Sequence, residues 1–184
     1  MEIKLNPAEI TLASHVGTLR QIQNVRAGRQ HAHGLSNEEA QDWQIHCEGC
    51  LSEFAVAKFL EAHWCGNVGN LEAPDVDHNI EVRTTKTFNT PLIIRPRDKD
   101  ERLFVSLVGS NGLYTMRGWI YCKDAKQEDW YYTKDHRPKC YWVPTEELNH
   151  PSTLKPHFYE RYLLPRINSL LNATKRNPTE IDSD

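Results

Sequence analysis

Long apolar runs are missing from this sequence: no stretch approaches the roughly 18 residues needed to cross a bilayer, and the opening Met1 to Asn6 lacks the apolar centre of a secretory signal. Both absences lead to the expectation of a cytoplasmic protein with no membrane partner. A large excess of charge of one sign is also missing. The formal net charge of −3 excludes a protein that coats duplex DNA by charge alone. The cysteines number five, an odd count that fits reduced thiols better than a disulfide framework. There is no glycine-rich phosphate loop, no Ser/His/Asp arrangement and no internal repeat.

What remains is an ordinary globular composition, 39% hydrophobic and 26% charged over 184 residues, long enough for one core. The expectation is a single domain over 1–172 with a disordered polar tail from 173 to 184. Asn6-Pro7-Ala8-Glu9 is a helix start, with Asn6 as cap, Pro7 at the first helical position and Glu9 completing the capping box; the helix is expected over 6–28. Ser36 to Glu39 is a second capping box. Glu48 to Trp64 reads as a helix apolar around most of its circumference. Strands are expected at Leu92–Ile94, Leu103–Val108, Leu113–Tyr121 and Cys140–Val143, with a turn at Gly109–Gly112 and a short helix within Lys123–Trp130. A last helix over 156–171 carries Pro165 as a kink.

The most informative stretch runs from Pro74 to Lys86. Ile80 and Val82 alternate with Glu81 and Arg83, so the strand has one apolar and one chemical face. Asp77-His78-Asn79 is a cluster of turn formers that would fold Asp75 back beside Glu81. Two carboxylates brought together raise each other's pKa unless a cation separates them, and Mg²⁺ is typically held by one or two carboxylates with water and phosphate completing its shell. The plainer alternative is a solvated ion pair on an edge strand. Glu53 is the anomaly of its helix: it has apolar neighbours at helical spacing and Lys58 is poorly placed to reach it, so it either takes a metal, an arginine or another donor from elsewhere, or sits partly exposed at the helix edge. From Arg83 to Arg102 the cations Arg83, Lys86, Arg95, Arg97, Lys99 and Arg102 outnumber Asp98, Asp100 and Glu101.

A helix carrying Glu53, then Pro74-Asp75, then Glu81-x-Arg83 on a strand resembles the PD-(D/E)XK nuclease superfamily. The segments Trp43 to His46, Glu48-Gly49, Glu53 to Lys58, Glu81 to Thr85 and Leu92 to Asp98 are similar to those of its small phage and bacterial members. The resemblance covers roughly residues 5–145. It implies an α/β restriction-endonuclease-like core, about 45–145, with a mixed sheet flanked by helices. It further implies a Mg²⁺- or Mn²⁺-dependent nuclease acting on nucleic acid, DNA foremost, with Asp75 and Glu81 as metal ligands and Glu53 as a further ligand or supporting partner. Arg83 and Lys86 would contact water or phosphate, and Arg95, Arg97 and Lys99 the nucleic acid. A homodimer, or a phage replication protein as partner, belongs to the same expectation, as does the host cytoplasm for a phage-encoded chain. Two departures stand out. The family's lysine is Arg83 here, and a guanidinium stays protonated, so it cannot be a base; and no helix separates Leu103–Val108 from Leu113–Tyr121.

The alternatives are a nuclease-fold protein that binds nucleic acid or a partner without cutting, and an interaction domain whose acids form only surface ion pairs. Cys47-x-x-Cys50 with His46, His63 and Cys65 has zinc-like spacing, but its apolar helix favours packing thiols. Cys122 and Cys140 could face each other across neighbouring strands, a placement more often of packing than of chemistry. Trp130 to Tyr132, with Lys134, His136, Arg137 and Lys139, suits either a loop that stacks on nucleic acid or aromatic anchors for a long loop.

Overall fold

A computed structural model describes residues 1–28, 39–70, 72–134 and 138–176. They divide into two compact units, Met1–Pro151 and the chain from Ser152 onward.

The first unit is mixed α/β. Its larger sheet has four strands, β1 (Glu2–Lys4), β2 (Ile80–Thr85), β4 (Leu103–Ser110) and β5 (Leu113–Tyr121), in the order β1-β5-β4-β2. β2 runs parallel to β4, and the other neighbours are antiparallel, so the sheet is mixed. β3 (Leu92–Ile94), β6 (Tyr131–Tyr132) and β7 (Cys140–Val143) form a smaller antiparallel sheet, β3-β7-β6. Between the sheets lies an apolar cluster of Phe104 and Ile120 with Leu92, Ile94, Val143, Cys122, Ala125 and Leu148.

Helix α1 (Pro7–Arg26) begins where its capping box predicts: the Glu9 amide donates to the Asn6 side chain at 2.9 Å and the Asn6 amide to Glu9 Oε2 at 2.7 Å. α2 is one helix over Glu39–Leu60; the helix start expected at Ser36–Glu39 and the Glu48–Trp64 helix are a single element, which ends four residues before Trp64. It ends because Glu61 turns left-handed, at φ 55°. The cap expected at Ser36 lies outside the described residues. α2 packs against α1 on one side and against β1, β2 and β4 on the other, and its Cys50, Leu51, Ala55, Val56, Ala57 and Leu60 are all buried.

β4 and β5 are joined by the two-residue turn Asn111-Gly112, both with positive φ, at 54° and 81°, the signature of a tight hairpin. No helix comes between them. The Tyr114 hydroxyl and the Asn111 amide both donate to the Glu48 carboxylate, the hydroxyl at 2.8 Å, which fastens this hairpin to α2. The short helix expected within 123–130 is one turn, α3 (Cys122–Ala125), and a 3₁₀ turn, Glu128–Trp130. Cys122 therefore lies on a helix, not on a strand facing Cys140, and all five cysteines are free thiols.

The second unit is helical: α4 (Leu154–Phe158), a wide π turn over Tyr159–Leu163, and α5 (Leu164–Arg176). The wide turn immediately precedes the region of Pro165, whose missing N–H breaks the regular ladder. Because α5 runs to Arg176, the polar tail expected from 173 begins as helix, and 177–184 lie outside the described residues.

Candidate functional site

Among the described residues β2 is the last strand of its sheet, and one of its edges has no strand neighbour. The chain before it doubles back to cover that edge. Asp77 sits at φ 49° in the turn, Val76 forms a bridge with Ile80 and another with Trp64, and the Asp75 and Val76 amides both donate to the Ile80 carbonyl, at 3.0 and 3.1 Å. This is the reversal that the turn formers predict. The Asp75 carboxylate then takes the outward amide of Val82, at 2.8 Å from Oδ2.

Ile80 and Val82 are buried, and Glu81 and Arg83 alternate with them. Glu81 lies opposite Phe104 in the parallel ladder, and the Arg83 guanidinium stands 4.9 Å over the Phe104 ring, a cation–π contact. Arg83 is 3.4 Å from Glu81 Oε2, and Arg102 Nε is 3.8 Å from Glu81 Oε1. The carboxylate therefore sits between two guanidinium groups.

These residues open into a cleft of about 430 Å³. Five cationic side chains line it: Arg83, Arg95, Arg97, Lys99 and Arg102. Its acids are Glu72, Glu81 and Asp98. The basic loop 95–102 is built from tight turns: Asp98 Oδ2 accepts from the Arg95 amide at 2.8 Å, and the Arg102 amide donates to the Lys99 carbonyl at 3.0 Å. Lys126 pins it from behind, donating to the Asp98 carbonyl and to Asp100 at 2.7 and 2.6 Å. Arg102 itself is buried and donates to the carbonyls of Glu72 and His78. It anchors the cleft wall as well as carrying charge.

Glu53, behind the β2 edge, is 5% exposed. Both of its oxygens are engaged by Arg20 of α1, at 2.6 and 2.9 Å, and the Trp64 indole donates to Oε2 at 3.2 Å. The missing partner of Glu53 is thus an arginine 33 residues away. Lys58, by contrast, points to Glu9 and to the Lys4 carbonyl. Burial and the neighbouring Asp75 carboxylate push Glu53 up to about 7, against the pull of Arg20 and Trp64. The same two causes push Glu81 up to about 7, against Arg83 and Arg102. Asp75 is the charge common to both.

Of the residues singled out by sequence, Glu81, Arg83, Arg95, Arg97 and Lys99 come together in the cleft. Asp75 and Glu53 stand behind it. Lys86 is exposed in the bend after β2 and does not line it. Arg20 carried no signal as a site residue, and Arg102 showed only as one charge in a basic stretch. Among the described residues no three His, Cys, Asp or Glu side chains are grouped as a metal cage. Comparisons of this chain with protein-family models, with curated proteins and with solved structures give no match.

The remaining candidates make contacts within the fold. Cys50 is buried with its thiol pushed up to about 12, chiefly by burial, and Cys47 lies against Ser14 and Thr18 of α1. Tyr131 stacks on Tyr141 at 4.5 Å, Tyr132 on Trp142 at 6.1 Å, and Lys139 and Lys134 cover the Tyr131 and Trp142 rings. The aromatics thus clamp β6 to β7; His136 and Arg137 lie outside the described residues.

Proposed function

We propose that the cleft binds the phosphodiester backbone of nucleic acid, DNA foremost, and that Asp75 and Glu81 hold a Mg²⁺ or Mn²⁺ ion for hydrolysis in the manner of the PD-(D/E)XK nucleases. The observation that carries this reading is the meeting of two features at Glu81: the reversal before β2 brings the Asp75 carboxylate onto the amide of its neighbour Val82, and Glu81 opens into a cleft lined by five cations. The donor set suits the ion. Hard carboxylate oxygens are what Mg²⁺ takes, and two suffice when water and a phosphate oxygen complete the shell. Glu81, held above its ordinary pKa by burial and the Asp75 charge, is also a group that a divalent cation would relieve.

When bound, such an ion polarises the phosphodiester and lowers the pKa of a bound water. The chain's own residues supply the rest. Arg95, Arg97 and Lys99 attract and align the backbone, since cationic side chains fix nucleic acid by its phosphates. Arg83, pinned over Phe104, presents a fixed fork to a phosphate oxygen or water and stabilises developing negative charge, but it does not take a proton. Arg102 holds the turn that carries the site and neutralises part of Glu81.

One observation favours a second reading, in which the protein binds nucleic acid without cutting it. Arg83 and Arg102 already flank Glu81, so the carboxylate has cationic partners in the absence of an ion.

The deciding experiment is cleavage of single-stranded, double-stranded and branched DNA with Mg²⁺ or Mn²⁺ by the wild type, Asp75→Ala and Glu81→Ala. The nuclease reading expects metal-dependent cleavage that falls about 100-fold or more in each variant, the scale on which removal of a preorganised charge acts. Cleavage retained in both variants refutes the assignment. Binding by all three without cleavage selects the second reading.

A further inference from the structure

We propose that Arg20, on the first helix, is a positioning residue for Asp75 that acts through Asn67; its consequence for catalysis rests on the nuclease reading above. Arg20 uses its whole guanidinium fork. Nη1 and Nη2 hold Glu53 at 2.6 and 2.9 Å, and Nε donates to the Asn67 carbonyl at 2.6 Å. The Asn67 side chain in turn donates to the carbonyl of Pro74 at 3.2 Å, the residue directly before Asp75. Two positions back in the same segment, the Cys65 amide donates to the Asp75 carbonyl at 3.2 Å. Trp64 completes the arrangement by bonding to Glu53 through its indole and pairing with Val76.

Glu53 is therefore a buried hub that grips segment 64–67 at two points, directly at Trp64 and through Arg20 at Asn67. That segment holds the backbone of residues 74–76. Nothing covalent requires this: among the described residues of 61–79 no strand is longer than a single bridge, so the place of Asp75 depends on these links, on its bonds to Ile80 and Val82, and on the contacts of Arg102 and His63 with the same segment. Lysine cannot replace the arginine. A single ammonium has no planar fork with which to span both carboxylate oxygens and the Asn67 carbonyl at once.

The test compares the wild type with Arg20→Met, Arg20→Lys and Asn67→Ala. Asn67→Ala keeps the Arg20–Glu53 pair and cuts only the side-chain link to Pro74, so it serves if the arginine variants fail to fold. Amide hydrogen exchange is read at Cys65 and Val82, whose N–H groups bond to Asp75, with Val105 in the centre of β4 as the reference. The expected result is exchange about tenfold faster or more at Cys65 and Val82 in all three variants, with Val105 unchanged, a local opening rather than a global one. In cleavage assays, kcat falls about tenfold or more while KM stays within about twofold, as for misplacement of a reacting group.

Unchanged exchange at Cys65 and Val82 in Asn67→Ala overturns the proposal. So does equal acceleration at Val105, which would make the link a merely structural one. If the wild type does not cleave, the nuclease reading fails on its own, and exchange still decides whether Arg20 positions Asp75.

Discussion

Gly17 sets the distance between α1 and α2, and its replacement by alanine opposes two effects of known size. A Cβ at Gly17 would lie 2.6 Å from Cys47 Cα and 2.8 Å from both the Cys47 nitrogen and the His46 carbonyl oxygen. Ordinary contact begins at 3.4 Å, so the helices fall short by about 0.8 Å of the room required. All three obstacles are backbone atoms of a helix, which cannot swing aside as a side-chain end can. Helix propensity pulls the other way, favouring alanine over glycine by about 1 kcal/mol. Overpacking costs about 1–3 kcal/mol. Spreading the helices also strains the Arg20–Glu53 pair one turn further on, and loss of a buried pair costs about 3–5 kcal/mol. The clash should win, leaving Gly17→Ala less stable by about 2 kcal/mol and its Tm lower by about 4–8 °C. Gly49 is the control. It lies within α2, but a Cβ there meets nothing within 4 Å, so Gly49→Ala should gain up to about 1 kcal/mol. Urea and thermal unfolding followed by circular dichroism measure both. A Gly17→Ala protein as stable as the wild type would refute the reasoning.

Two further outcomes follow from the charges. Glu53 is held at about 7 in the folded protein against an ordinary 4.5; because the folded form binds the proton more tightly, its contribution to stability is fully present below 4.5 and is lost as pH rises through 7. Between pH 5 and 8 the wild type should therefore lose stability that Glu53→Gln keeps, read by urea denaturation at each pH, and parallel curves would disprove it. In the cleft, Arg97→Ala and Lys99→Ala should each weaken nucleic-acid binding across sequences and lower the slope of log K against log salt by about 1; an unchanged slope would place these side chains off the backbone path.

The sequence alone determined those features whose causes lie within a few residues of each other. The capping box of α1, the alternation along β2, the reversal at Asp77 that returns Asp75 to the strand edge, and the Asn111-Gly112 hairpin all follow from local sterics and side-chain periodicity. That Glu53, if buried, needed a partner was legible for the same reason, because a carboxylate on an apolar helical row is costly to bury. Which partner it takes was not. Arg20 and Glu53 come together only because Gly17 lets α1 lie close on α2, and a periodic pattern says which face is buried but not what covers it. The cleft has the same origin: Glu81 and Arg83 on one strand meet the 95–102 loop because β2 pairs in parallel with β4, beside which β3 and its loop are folded back. The length of α2, the burial of Arg102 and the stacking of Arg83 on Phe104 are likewise decided by packing between segments distant in sequence, where many pairings satisfy the same local rules and only the assembled core selects one.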